Sequence, residues 1–179
     1  MKEQLQKDFD SIIKNLSLSQ KDIEIKKFYL DNFINKGFPN RREEDWKFSD
    51  LNQIIKKNIG ELSFYNDYTS TNKVDTSVFV DGLEHNKIVF INGRIEKIDF
   101  DYEKKDQIEI IDKSETINKF NNNNSLSDLN NAFTNKSFKI IIKNGYQLVK
   151  PLIIYHITNP DIWSKNIKLR LGFELGKDS

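Results

Sequence analysis

Carboxylates and histidines are the side chains with which this chain could do chemistry. Glu43, Glu44 and Asp45 stand in a row, and Asp99 and Asp101 lie two apart. Acids so close in sequence are raw material for acid–base work, but neither group comes with a pattern that would build a pocket around it, so both read as surface charge. His85 and His156 are far apart and form neither a His-x-x-His nor a His-x-x-x-His pair. A solitary imidazole falls short of the three or four ligands that a metal site takes. His156, in Leu152-Ile-Ile-Tyr-His-Ile157, shares a strand face with Leu152 and Ile154 and is expected partly buried or at a rim. The chain has no cysteine, which removes disulfides and thiolate metal ligands together. It has no Gly-x-x-x-x-Gly-Lys-Ser/Thr loop, no Gly-x-Ser-x-Gly elbow and no Gly-x-Gly-x-x-Gly fingerprint. The reading is therefore non-enzymatic, with no catalytic, cofactor-binding or metal-binding residue nominated.

Composition narrows the class further. The 179 residues carry a formal net charge of +1, with 31% charged residues of both signs interspersed, and so lack the one-sided basic face of a nucleic-acid or membrane-surface protein. No apolar run approaches a membrane span, and the start Met-Lys-Glu-Gln-Leu-Gln-Lys-Asp lacks the apolar core of a signal peptide. A cytoplasmic protein is expected.

The elements that could position side chains change character along the chain. Leu5, Phe9, Ile12, Ile13 and Leu16 recur on one helix face. Ser19 with Asp22 opens a second helix, whose stripe of Ile25, Phe28, Tyr29 and Phe33 runs to the stop signal Lys36-Gly37. Pro39, Asn40 and Glu43 spell a stop and then a capping box, predicting a third helix from Asn40 to Ile55, with the acidic run in its first turn and Trp46 and Phe48 as aromatic anchors. Residues 1–60 thus read as a helical region and 61–84 as a linker. From 85 onward short β-branched runs take over. Ile88–Ile91 ends in the turn pair Asn92-Gly93, and Gln107–Ile111 is a second strand. The polar tract Asn121–Asn124 reads as a loop. Phe138–Ile142 precedes a turn at Gly145. Pro151 suits the first residue of the next strand, and Ile167–Phe173 makes another. Strand centres near Ile141, Ile153 and Leu169 are spaced as in a sandwich, a barrel or a β-solenoid, among which periodicity does not choose. Lys139, Lys143 and Lys168 are expected to stay solvated.

Two stretches resemble the SufB/SufD family of iron–sulfur cluster assembly scaffolds. The first is Gly37-Phe-Pro-Asn-Arg-Arg-Glu-Glu-Asp-Trp-Lys-Phe-Ser-Asp-Leu51, similar to the entry motif of the SufD branch at Pro39, Glu44, Trp46, Lys47, Phe48, Ser49 and Leu51. The second runs from Leu129-Asn-Asn-Ala-Phe133 through Phe138–Gly145 to Tyr146–Tyr155, matching a turn of helix, a strand, a glycine turn and a Pro-led strand. The run Ile88–Ile91 with Asn92-Gly93 and Arg94 resembles the family's entry to its β region.

The resemblance implies a mainly β fold with α: a small amino-terminal helical subdomain, then the first coils of a right-handed parallel β-helix over residues 85–179. It implies a non-catalytic scaffold of a SufBCD complex, partnered by a SufB-like scaffold and a SufC-like ATPase. The iron–sulfur cluster would be handled by the complex, and no cofactor is expected in this segment, which lacks any cysteine to ligate one. Because the sequence reaches Ser179 amid a repeating stack, an amino-terminal fragment is expected, with most partner contacts beyond it. The alternative is a stand-alone β-solenoid or β-sandwich binding module, for carbohydrate for instance, with Tyr155, Trp163 and Phe173 as its candidate aromatics. A polysaccharide lyase on a β-helix would need clustered acids and bases on one coil face, which the sequence lacks.

Overall fold

Leu5, Phe9 and Ile12 sit one helical turn apart, and the first helix buries all three. In the computed structural model, residues 2–16, 18–58, 62–64, 75–113, 124–134, 136–162 and 165–179 are described. Their elements, in chain order, are α1 (Lys2–Asn15), α2 (Gln20–Lys36), α3 (Leu51–Asn58), β1 (Ser63–Phe64), β2 (Asn86–Ile91), β3 (Arg94–Asp99), β4 (Ile108–Lys113), α4 (Ser125–Phe133), β5 (Lys136–Ile142), β6 (Leu152–Ile157), β7 (Lys165–Asn166) and β8 (Leu169–Leu175). The fold is mixed α and β, with four helices and small sheets, none of them closed among the described residues. Two compact units divide the chain. One takes residues Met1–Asn66, Ser114–Asn135 and Ser164–Lys168, the other Asp67–Lys113, Lys136–Trp163 and Leu169–Ser179.

In the first unit, local signals set α2. The Ser19 hydroxyl accepts from the Asp22 amide at 3.2 Å, and Gly37, at φ 75°, donates its amide to Phe33 O, a conformation that glycine adopts without a Cβ penalty. The core joins Leu5, Phe9 and Ile12 of α1 to Ile25, Tyr29, Leu30 and Phe33 of α2 and Leu129, Ala132 and Phe133 of α4. Phe133 stacks on Phe64 with centroids 3.7 Å apart, and meets Phe9 edge-on at 6.1 Å. Asn124 caps α4 by accepting from the amides of Leu126 and Ser127. Two cations on α2 reach α4: Lys36 pairs with the fully buried side chain of Asp128 at 3.0 Å, and buried Lys26 donates to Thr134 O at 2.5 Å. Burial lowers the Lys26 pKa to about 8, against a smaller raising effect from Asp22.

The helix expected from Asn40 to Ile55 does not form as one piece. Its capping box does: Asn40 Oδ1 accepts from the Arg42 amide and Glu43 Oε1 from the Asn40 amide, at 3.0 and 3.1 Å. Yet only a single 3-10 turn follows, Glu44–Trp46. Asp50 then caps afresh, accepting from the Gln53 amide at 3.0 Å, and α3 begins. An N-cap residue takes non-helical backbone angles, so two caps in series break the helix between them. In consequence Phe48, expected as an anchor, is 92% exposed.

In the second unit, Asn92 and Gly93 adopt φ 50° and 81°, the two positive angles of a type I′ hairpin turn, and join β2 to β3 in antiparallel register. The sheets run β3-β2-β6 and β4-β5-β8. In each, one pair is parallel: Ile88 lies beside Ile154, and Ile140 beside Phe173. The chain passes from β5 in one sheet to β6 in the other, then through β7, which pairs in parallel with β1 of the first unit, and returns as β8 alongside β5. Ile88, Phe90, Phe100, Phe138 and Ile140 form the core, and the rings of Phe90 and Phe138 lie 5.3 Å apart. β6 starts directly after Pro151, whose carbonyl accepts from the Asn86 amide at 2.8 Å. Lys143 is exposed and Lys139 pairs with Glu174. Lys168, which belongs to the first unit and was expected to be solvated, is instead half-buried, and burial lowers its pKa.

The turns that follow β5 and β8 are bonded to each other. Gly176 donates to Ile142 O, Gly145 to Lys177 O, and Lys177 to Asn144 Oδ1, each at 2.8 Å. A Cβ on Gly176 would lie 2.4 Å from the Asn144 nitrogen. Gly176→Ala is therefore expected to destabilise the second unit by about 1–3 kcal/mol, the range for forced overpacking, measurable as a lowered urea midpoint. Lys26 gives a second prediction. With a folded pKa of about 8 against an ordinary 10.5, its charge costs stability below pH 8, and that cost fades as pH rises towards 10.5. Unfolding of the native chain and of Lys26→Met, followed from pH 7 to 10, should show the difference shift by roughly 2–3 kcal/mol in favour of the native chain.

Candidate functional site

The most heavily bonded polar group of the second unit is the carboxylate of Glu103, in the loop between β3 and β4, with the residue only 8% exposed. Four donors converge on it. Asn86 Nδ2 lies at 2.7 Å, the Tyr146 hydroxyl at 2.7 Å, and the backbone amides of Val149 and Lys150 at 3.1 and 3.0 Å. Asn86 also donates to Lys150 O, and the Tyr146 oxygen accepts from the Lys104 amide. The start of β2 and the loops β3–β4 and β5–β6 are thus tied at one carboxylate. Burial alone would raise its pKa, but the four donors outweigh burial and bring it to about 2. At neutral pH the group is a fixed acceptor, with neither a proton to give nor affinity to take one.

A cleft of about 340 Å³ lies beside this knot, lined by Ile98, Phe100, Ile108 and Ile110 with Asp101 and Lys105. Phe100 belongs to the second core, and Ile108 and Ile110 pack against it. The cleft is therefore an opening into the apolar interior between β3 and β4. It has room for a small apolar group, with Asp101 and Lys105 as the polar residues of its lining.

His85 is 2% exposed. Its Nδ1 lies 2.5 Å from Leu83 O and its Nε2 2.7 Å from the Tyr155 hydroxyl. A carbonyl only accepts, so Nδ1 carries the proton and Tyr155 donates to Nε2. The Tyr155 oxygen in turn accepts from the Val80 amide at 3.0 Å. The chain of bonds clips residues 80–85 onto β6. His156 is exposed at its edge, with its ring flat on buried Phe90 at 4.9 Å, and burial of that face lowers its pKa. The two histidines do not meet at a common site. Asp99 pairs with Lys87 and Lys97, each at 3.4 Å. Burial acts to raise its pKa, and the Asp101 amide with the two lysines brings it below the ordinary value. Glu43 is engaged in the cap, while Glu44 and Asp45 are exposed. Among the described residues no group of three or more His, Asp or Glu side chains is placed to hold a metal ion, and no helix is long and apolar enough to cross a membrane.

Of the aromatics considered for a glycan groove, Tyr155 is half-buried with its hydroxyl engaged, Phe173 is 51% exposed, and Trp163 lies outside the described residues. Glu103 carries no sequence signal, because its donors come from segments far along the chain. No protein-family model matches this sequence, and no curated protein matches it significantly.

Glu103→Gln replaces one of two acceptor oxygens with a donor facing backbone amides, and should cost about 2–4 kcal/mol, the scale of charged hydrogen bonds broken in a buried site. The folded pKa of about 2 lies below the ordinary 4.5, so the stabilising contribution is full above pH 4.5 and is lost as pH falls towards 2. Acid titration followed by circular dichroism should show this loss in the native chain and a shallower acid dependence in the variant.

Proposed function

We propose that the chain is a non-catalytic, SufD-like scaffold that works with a SufB-like partner and a SufC-like ATPase in assembling iron–sulfur clusters. The observation that carries the reading is the circuit from β5 through β6 and β7 to β8, in which β8 lies parallel to β5 with strands of two other sheets between them in sequence. This is how one coil of a parallel β-helix is laid down, and the same passage, Leu129 to Tyr155, carries the second sequence resemblance. In this reading β2 and β6 are successive rungs on the other face, and a right-handed coil is the expected hand for parallel crossovers. In this reading the first unit is the helical entry, with Glu44, Lys47 and Phe48 of the Pro39–Leu51 motif exposed and Pro39 buried.

The contribution of this segment is shape. Glu103, Asp99 and His85 are all engaged in internal bonds, and the chain has no thiolate. The cluster is cargo of the complex, with ligands supplied elsewhere. ATP-driven dimerisation of the SufC-like subunit would rearrange the scaffold pair and expose the assembly site, with a stiff stack of coils transmitting the movement. A tag placed at the amino terminus of the chromosomal copy, followed by purification and mass spectrometry of bound proteins, should recover a SufB-like and a SufC-like protein. Recovery of neither, together with retention on glycan resin, would favour the carbohydrate-binding module instead.

A further inference from the structure

The cleft between β3 and β4 brings two charges of opposite sign to the mouth of an apolar slot. Buried Phe100 and half-buried Ile108 and Ile110 wall its interior, exposed Ile98 forms its lip, and exposed Asp101 and Lys105 complete the lining. Among the described residues neither the Asp101 carboxylate nor the Lys105 ammonium is engaged in a hydrogen bond or an ion pair, with each other or with a third group. We infer that the cleft is a binding site for a free α-amino acid with an apolar side chain. The side chain enters the slot, the α-ammonium meets Asp101 and the α-carboxylate meets Lys105.

Charge complementarity argues for a zwitterion. An apolar acid would bring its carboxylate near Asp101, and an apolar amine its ammonium near Lys105, so each sets a like charge against one side of the mouth. An α-amino acid carries both charges on the carbon that bears its side chain. Size agrees, because the volume of about 340 Å³ lies at the small end of ligand pockets. The loop that carries the two charges is also held in place. Glu103 stands midway between them in sequence, its amide donating to Phe100 O and its carboxylate bonded by four donors, and the Gln107 amide donates to Lys104 O. Little backbone ordering is then left for binding to accomplish. β3 and β4 stand at the opposite ends of the two strand orders from β6 and β8, so a further coil laid on β6 and β8 leaves the walls of the cleft as they are. This inference does not depend on the scaffold reading.

Calorimetric titration of the full chain with L-leucine and L-phenylalanine tests it, and methyl NMR of the isoleucines locates the site. Binding is expected with a Kd of about 0.1–10 mM, the scale for a ligand of few atoms with exposed charge pairs, and the largest shifts should fall on Ile98, Ile108 and Ile110. Glycine lacks the side chain, leucinamide the carboxylate and N-acetylleucine the ammonium, and each should bind at least about threefold more weakly than leucine. Asp101 and Lys105 are exposed, so their substitution leaves the core untouched. Asp101→Asn should weaken leucine binding by a similar factor, and Lys105→Glu should invert the preference, so that leucinamide binds more tightly than leucine. No binding of either amino acid at concentrations well above that range would overturn the proposal. So would leucinamide and N-acetylleucine that match leucine, shifts centred on other isoleucines, or a Lys105→Glu variant that still prefers leucine.

Discussion

Four donors on one buried carboxylate hold the second unit in its path. Parallel strands cannot be joined by tight turns, so each crossover must carry backbone away from one sheet and into the other. Backbone on such a path leaves its amides without ladder partners, and buried amides need acceptors. Glu103 supplies them, taking the amides of Val149 and Lys150 on the approach to β6 while Asn86 and Tyr146 complete its shell. The cost of burying the charge is offset because both of its oxygens are bonded, so the carboxylate remains ionised and cannot be exchanged for a neutral group of similar shape without losing an acceptor.

The start of the β5–β6 loop uses backbone in place of charge. Gly176 donates to Ile142 O, and Asn144 and Gly145 both bond to Lys177, so the turns that follow two parallel neighbours are locked to each other as the strands are. Here the close approach of two chains excludes a Cβ at Gly176. The first unit solves a different problem. Its helices pack through apolar stripes, and the cations of α2 reach α4: Lys36 meets a carboxylate in the first turn, and Lys26 meets the carbonyl at the C-cap. The latter is a favourable place for positive charge, but burial costs enough to pull the Lys26 pKa towards neutrality.

What was legible in the sequence follows from how local each cause is. Ser19 and Gly37 bound α2, and Asn92-Gly93 turns the hairpin, through bonds and angles within a few residues. The segment from Asn40 to Ile55 was misread although each local signal was sound. Its capping box forms, but Asp50 provides a rival cap ten residues on, and a stripe of apolar spacing does not reveal which of two caps prevails. Glu103 was invisible for the opposite reason, since nothing near it in sequence marks it and its donors are assembled only by the circuit of strands. The same holds for Lys168, whose half-burial depends on tertiary surroundings that a count of alternating residues does not contain.

Several polar side chains of the second unit are held by internal partners that the sequence alone does not reveal. Asp99 lies between two lysines, His85 between a carbonyl and a phenol, and Glu103 among four donors. A group held by partners that match its present charge gains little from a change of charge. The same bonds join loops and strands of the second unit that lie far apart in sequence. Between β3 and β4 the same unit keeps an opening into its apolar interior, lined by Ile98, Phe100, Ile108 and Ile110.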